Sequence, residues 1–210
     1  NNAGRIAGSS SGRAFAGGGG NVSFNITGGS AVVLGAIDGG TGSANKMTVA
    51  PGAGNTFAYA SGMGNFATVE IASGTVVLSG NNTYAGTTVI DAGATLALDG
   101  AGRLAAGSKL DLEGGMLRLV DVQGPDGQEF AVLSVGKDSA IDLGDSSLTF
   151  AALGTLVPGK TLTVTDYLSS ASPDYALRFL GDLTDNAAFL ALMAGTTIDH
   201  FAASYRFDGT

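Results

Sequence analysis

The chain has 210 residues, enough for one sizeable domain or two small ones, and only 13% of them are charged while 44% are hydrophobic. Ten basic against eighteen acidic residues give a formal charge of −8 with no basic stripe, which argues against nucleic acid and anionic lipid as partners. Cysteine is absent, which excludes a disulfide framework and a thiolate metal site.

Glycine, at 35 residues, is about twice its usual share. Disorder would require few aliphatic residues and high net charge, whereas this chain is rich in Val, Leu and Ile, so the glycines read as many tight turns. No apolar run approaches the ~20 residues of a membrane span. Asn1-Asn2-Ala3-Gly4 reads as a processed or trimmed start, so export has to be inferred from the kind of protein this is.

Residues 1–30 read as a Gly/Ser-rich arm with one strand, in which Val22, Phe24 and Ile26 alternate onto one face. Residues 31–170 then settle into a rhythm of short apolar alternations. The pairs are Val76/Leu78, Leu96/Leu98, Leu110/Leu112, Leu117/Leu119, Leu133/Val135, Ile141/Leu143, Leu148/Phe150 and Leu162/Val164. Each pair is spaced i, i+2, which puts both side chains on one face of a strand. Leu110 to Leu117 and Ile141 to Leu148 are seven residues apart, and Leu133 to Ile141 is eight. That spacing is too tight for most hairpins of a sandwich or barrel. It fits a coil of three short strands and three turns, with roughly twenty residues per turn and about ten turns in all.

Residues 171–210 change character. Asp174 to Leu180 is a strand candidate, and Asp182-Leu183-Thr184-Asp185 reads as a helix start. Asn186 to Met193 follows as a short amphipathic helix on Phe189, Leu190 and Met193. Ile198, Phe201, Tyr205 and Phe207 then gather at one terminus, as expected of a cap over the last turn's open edge.

One stretch is distinctive. Ala72 to Leu98 contains Leu78-Ser79-Gly80-Asn81-Asn82-Thr83-Tyr84, then Gly86-Thr87-Thr88, then Ala92-Gly93-Ala94-Thr95-Leu96. This closely resembles the autotransporter-associated β-strand repeat. The resemblance implies an all-β, right-handed parallel β-helix (β-solenoid) on the cell exterior, with Asn81, Asn82 and Tyr84 as corner residues whose amides bond to stacked turns. The C-terminal third is similar in style to the ends of PEP-CTERM and autotransporter-like surface proteins. A complete autotransporter also carries an outer-membrane barrel, and these residues contain no such alternation of ~10-residue strands with aromatic girdles. The expectation is an excised passenger segment, or a relative that is released and assembles by itself.

Catalytic motifs weigh little. Gly8-Ser9-Ser10-Ser11-Gly12 spells a nucleophile elbow but lies in a Gly/Ser run, and His200 is the only histidine available as its base. Gly102 to Lys109 nearly spells a phosphate loop, with the last two residues reversed and a strand rather than a helix following. A single histidine builds no zinc site, and Gly17-Gly18-Gly19-Gly20-Asn21 lacks the aspartate of a calcium repeat. A polysaccharide-cleaving site would need carboxylates on one face, and Asp111, Glu113, Asp121 and Asp142 are the candidates. Asp111 and Glu113 alternate with Leu110 and Leu112 and so point outward, and no tryptophan offers a sugar platform.

The reading is therefore a non-enzymatic extracellular structural protein of a bacterial surface, with no cofactor. Its expected partners are identical subunits, joined into a homopolymer through Val22, Phe24 and Ile26 at one end and Phe201, Tyr205 and Phe207 at the other. A monomeric adhesin passenger that meets surface glycans or other cells is the alternative, and a β-helical carbohydrate-active enzyme the third.

Overall fold

Four or five residues that alternate apolar and small polar make a strand with one dry and one wet face, and this chain lays down such a unit twice per turn. The computed structural model describes residues 2–8, 12–120, 127–144, 146–167, 177–205 and 207. It is an all-β parallel solenoid of about seven turns with one short helix near the C-terminus.

One long sheet collects Ser23–Thr27, Lys46–Ala50, Thr68–Ile71, Thr87–Asp91, Lys109–Glu113, Gln128–Lys137, Leu148–Leu156 and Leu177–Phe179, every neighbour parallel. The facing sheet stacks Thr56–Tyr59, Thr75–Leu78, Thr95–Asp99, Met116–Val120, Ser139–Asp142, Leu162–Thr165 and Thr197–Ile198 in the same way. Phe201–Ala202 closes this second sheet and is antiparallel to its neighbour.

Register turns the sequence pairs into columns. Val76, Leu96, Leu117, Ile141 and Val164 sit opposite one another in successive turns of one sheet. Ile90, Leu112 and Val135 do so in the other. All sixteen residues of the eight pairs are at most 2% exposed. Burial of a Leu or Val side chain is worth ~1.5–3 kcal/mol each, so these columns supply most of the driving force.

The corner between the sheets is short and glycine-dependent. In Asp91-Ala92-Gly93-Ala94 the Ala94 N–H donates to the Asp91 carbonyl at 2.9 Å, and Gly93 takes φ +75°, a left-handed conformation that costs glycine little.

Three expectations are corrected. The turn is not uniformly three-stranded: a short third sheet, Arg13–Ala16, Ala36–Asp38 and Met63–Gly64, serves only the first turns. From Thr75 onward two strands and a return segment make the turn, because that third side carries corner residues rather than an alternation. About seven turns form rather than ten, since the first and last turns are longer than the twenty-odd residues of the middle ones. Finally, residues 1–30 hold three strands rather than one. Arg5–Ala7 pairs with Val32–Leu34 and Arg13–Ala16 with Ala36–Asp38, so both exist by virtue of the turn above them.

At the C-terminus the chain stops repeating. Leu177–Phe179 is the described part of the expected strand; residues 174–176 lie outside the described residues. The helix spans Ala187–Gly195 and begins later than Asp182, which instead accepts the N–H (3.0 Å) and hydroxyl (2.6 Å) of Thr184 in a turn of its own. Asn186 is the actual N-cap, its Oδ1 accepting the Phe189 N–H at 3.0 Å. Nor is the helix amphipathic. Its residues are apolar all round, with Phe189, Leu192 and Met193 buried and several alanines exposed. Beyond it, Asp199 (φ +46°) and His200 (φ +71°) turn the chain back in a two-residue hairpin.

Candidate functional site

Polar groups inside a narrow coil are tolerable only when paired, and the corner after Leu78 is where this chain concentrates them. Asn82 is fully buried. Its Oδ1 accepts the Met63 N–H of the turn below at 3.1 Å, while Nδ2 donates to Gly80 of its own turn and to Arg103 of the turn above, both at 3.0 Å. One amide thus rivets three turns. Asn81 beside it is exposed. Tyr84 is a core residue whose hydroxyl meets the Thr88 hydroxyl at 2.8 Å, and burial pushes its phenol pKa above the ordinary value. Thr88 stands in an inward column between Val69 and Leu110, so this contact satisfies the one hydroxyl in an otherwise apolar stack. Glycine is required here too: a Cβ on Gly80 would collide with the Ser61 carbonyl oxygen.

Two further rivets were not foreseen. Gln128 exchanges hydrogen bonds with the backbone of Leu104, Oε1 accepting and Nε2 donating at 3.1 Å each. Asn45 accepts the Val22 N–H at 2.9 Å and donates to the Asn65 carbonyl at 2.9 Å. The partners are main-chain atoms about twenty residues away, which no local motif announces.

The outward side of the sheet that runs from Ser23–Thr27 to Leu177–Phe179 carries a carboxylate row. Glu70 pairs with Lys46 (3.0 Å) and accepts the Thr48 hydroxyl (2.9 Å); Glu113 pairs with Lys137 (3.3 Å). Asp91 stands opposite Glu113 across the ladder, and Asp111 lies on the neighbouring row. Desolvation raises the pKa of both aspartates, with Glu70 and Glu113 adding to it at Asp91 and Glu113 and Asp91 adding to it at Asp111. Asp111 and Glu113 do face outward as their alternation requires. Asp142 belongs to the other sheet, where it pairs with Arg118 at 3.1 Å. Desolvation and then the neighbouring Asp166 raise the pKa of Asp142, against the opposing effect of Arg118. The structure therefore does not gather Asp111, Glu113 and Asp142 into one site; Asp121 lies outside the described residues.

Other motifs resolve simply. Gly102 to Lys109 is a turn, with the Ser108 N–H donating to Ala105 at 2.8 Å, and it leads into a strand. His200 is exposed in the terminal hairpin, and Ser9, Ser10 and Ser11 lie outside the described residues. Among the described residues no group of three His, Asp or Glu side chains is arranged to hold a metal ion.

The residues expected at the two ends sit very differently. Phe24 and Ile26 are buried core residues, and Val22 packs half-buried against them, so the side chains of that strand face inward. Around them Ile6, Ala14 and Phe15 also remain only partly covered, with the Phe15 and Phe24 rings 4.6 Å apart. At the other end Phe201 is 76% exposed, Tyr205 48% and Phe207 46%. Tyr205 also meets Phe189 edge-on at 5.4 Å, and Phe189 meets Phe179 at 5.3 Å, which extends an aromatic stack that begins at Phe130 and Phe150.

Residues 73–98, the turn that holds Asn82 and Tyr84, match the family described as passenger-associated-transport-repeat. No curated protein and no solved structure matches the chain. The matched repeat and the solenoid together fit an autotransporter-associated β-strand repeat protein, with a passenger-like β-helical domain. Such a repeat implies a secreted or surface protein. Among the described residues no helix is long and apolar enough to cross a membrane, which says nothing of a β-barrel.

Proposed function

We propose that this passenger-like β-helix is a non-catalytic structural subunit on the outside of a bacterial cell, and that its copies associate into a surface fibre or matrix. The observation that carries the reading is the stack itself: parallel turns in register around the matched repeat, with dry aliphatic columns inside and ion pairs between turns on the outward faces. Repeated, evenly spaced turns build an extended surface on which a second copy can lie.

A scaffold role is also supported by the outward faces. Glu70, Glu113 and Asp142 are tied to Lys46, Lys137 and Arg118 of adjacent turns, and Asp111 and Asp142 stand on different sheets. Electron microscopy of the purified chain across a concentration series tests the reading, with elongated assemblies expected. Dispersed monomers that bind glycans or cells would favour the adhesin passenger instead. Turnover in a polysaccharide panel, lost in Asp111→Ala or Glu113→Ala, would overturn the non-catalytic part.

A further inference from the structure

We propose that the fold presents Asn81 as an attachment site for an N-linked sugar, a modification independent of whether copies of the chain associate.

Asn81-Asn82-Thr83 spells Asn-x-Ser/Thr with no proline in the middle, the unit recognised when a sugar is transferred onto an asparagine amide. The same unit occurs at Asn21-Val22-Ser23 and Asn25-Ile26-Thr27. Letters alone do not separate the three, whereas their places in the fold do.

At the corner after Leu78 two adjacent asparagines have opposite fates. Asn82 is fully buried, and both ends of its amide are taken by main-chain groups of three turns. Asn81 is exposed, and its side chain has no hydrogen-bond partner among the described residues. Thr83 is exposed as well. Its N–H donates to the Met63 carbonyl at 2.8 Å, while its hydroxyl has no partner among the described residues. Packing and hydrogen bonding thus account for Asn82 and leave the Asn81 amide and the Thr83 hydroxyl free toward solvent. The other two units are less open. Asn21 uses its Oδ1 to accept the Ala44 N–H at 3.0 Å, and Asn25 is a half-buried ladder residue opposite Thr48. A sugar on Asn81 breaks no bond of the fold.

The reaction is a substitution at the sugar. The Asn81 Nδ2 attacks the anomeric carbon of a sugar carried on a pyrophosphate. The N–C bond forms, the C–O bond to the phosphate breaks, one amide proton passes to a base of the transferase, and the pyrophosphate departs with the electron pair. Either a nucleotide or a lipid can carry that pyrophosphate. An amide nitrogen is a poor nucleophile, because its lone pair is shared with the carbonyl, so a separate transferase must grip the segment in an extended form. Asn82 sets when that is possible. With its side chain buried and its N–H donated to Arg103 at 3.0 Å, the segment cannot be drawn out of the closed turn. Transfer therefore precedes closure of this turn, and the finished fold carries the sugar outward.

Mass spectrometry of the peptide spanning residues 76–88, cut from full-length protein recovered from the cell that makes it, tests the assignment. A sugar mass is expected on Asn81, lost completely in Asn81→Gln and in Thr83→Ala and kept in Thr83→Ser. Asn81→Gln should leave the urea midpoint of unmodified protein unshifted, because that side chain holds nothing. A bare Asn81 in the parent overturns the assignment, and so does a sugar that persists in Thr83→Ala or one found only at Asn21 or Asn25. Expressing the same chain in that cell without export separates the donors: modification there points to a nucleotide sugar, and modification of the exported chain alone to a lipid-linked one. For the timing, folded chain with a bare Asn81 is mixed with a whole extract of the producing cell, membranes included, and a uridine-diphosphate hexose. It should stay bare, whereas the same chain diluted into the mixture from urea should gain the sugar. Modification of the folded chain would overturn that order of events.

Discussion

The middle of the coil and its C-terminal end are built on opposite principles. Between Thr75 and Val120 each strand has a partner on both edges, the inward Leu and Ile residues are dry, and buried polar groups such as Asn82 and Thr88 have partners in hand. Between Leu177 and Phe207 strands shrink to two or three residues, an all-apolar helix lies against the last turns, and the closing strand runs backwards. Translation of one unit suffices where neighbours exist above and below. The strands from Leu177 to Ala202 are short and do not continue that repeat. Antiparallel closure by Phe201–Ala202 interrupts the parallel order that a further turn would follow.

That contrast can be broken most severely from the middle. Leu112→Ala opens a cavity in a column between Ile90 and Val135, and should cost about 2–5 kcal/mol of global stability. A urea melt checks it: the midpoint falls with the slope unchanged. Next comes the rivet. Asn82→Ala leaves the Met63 N–H and the Arg103 carbonyl without that amide and should cost about 1–3 kcal/mol. Hydrogen exchange should speed up on both flanking turns at once, a result a purely local corner would not give.

The end should answer differently to a similar truncation. Phe189→Ala removes the ring that links Phe179 to Tyr205, yet the loss should be confined to the helix and to Thr197–Ile198. Their exchange accelerates while the main urea midpoint moves little. A shift as large as that of Leu112→Ala would show the helix to be part of the same cooperative unit.

The smallest effect concerns the carboxylate row. Burial and neighbouring acids raise the folded-state pKa of Asp111, so between the unfolded value and that raised value the folded chain binds more protons. Stability from this group is therefore lost as pH rises through the raised pKa. Asp111→Asn should raise the melting temperature slightly at pH 7, and the difference from the parent should vanish once the pH falls below ordinary carboxylate values. A difference that persists there would assign the effect to something other than charge.

How much of this was legible beforehand follows from the range over which each feature is specified. The inward pairs from Val76/Leu78 to Leu162/Val164 were readable because spacing i, i+2 is local and the strand transmits it directly. Asn82 was readable because a distinctive local run surrounds it. Gln128 and Asn45 were not, since their partners are main-chain atoms a full turn away. Arg5–Ala7 and Arg13–Ala16 are too short to signal by themselves and become strands only by pairing upward. Asp182 looked like a helix cap because aspartate serves caps and turns equally, and Thr184 decided for a turn. The separation of Asp142 from Asp111 was hidden because strands of both sheets carry the same alternation.

The rivet at Asn82 has a mechanical consequence. Tension along the coil axis loads the turns in series, and a chain held only by its edges would peel from whichever end is weaker. Peeling from the N-terminal side meets an amide that grips the turns of Met63 and Arg103 together. Each turn that lets go releases about 70 Å of contour, the reach of some twenty extended residues. A single molecule stretched by its termini should thus lengthen in even steps, with a higher force at the step that frees Asn82.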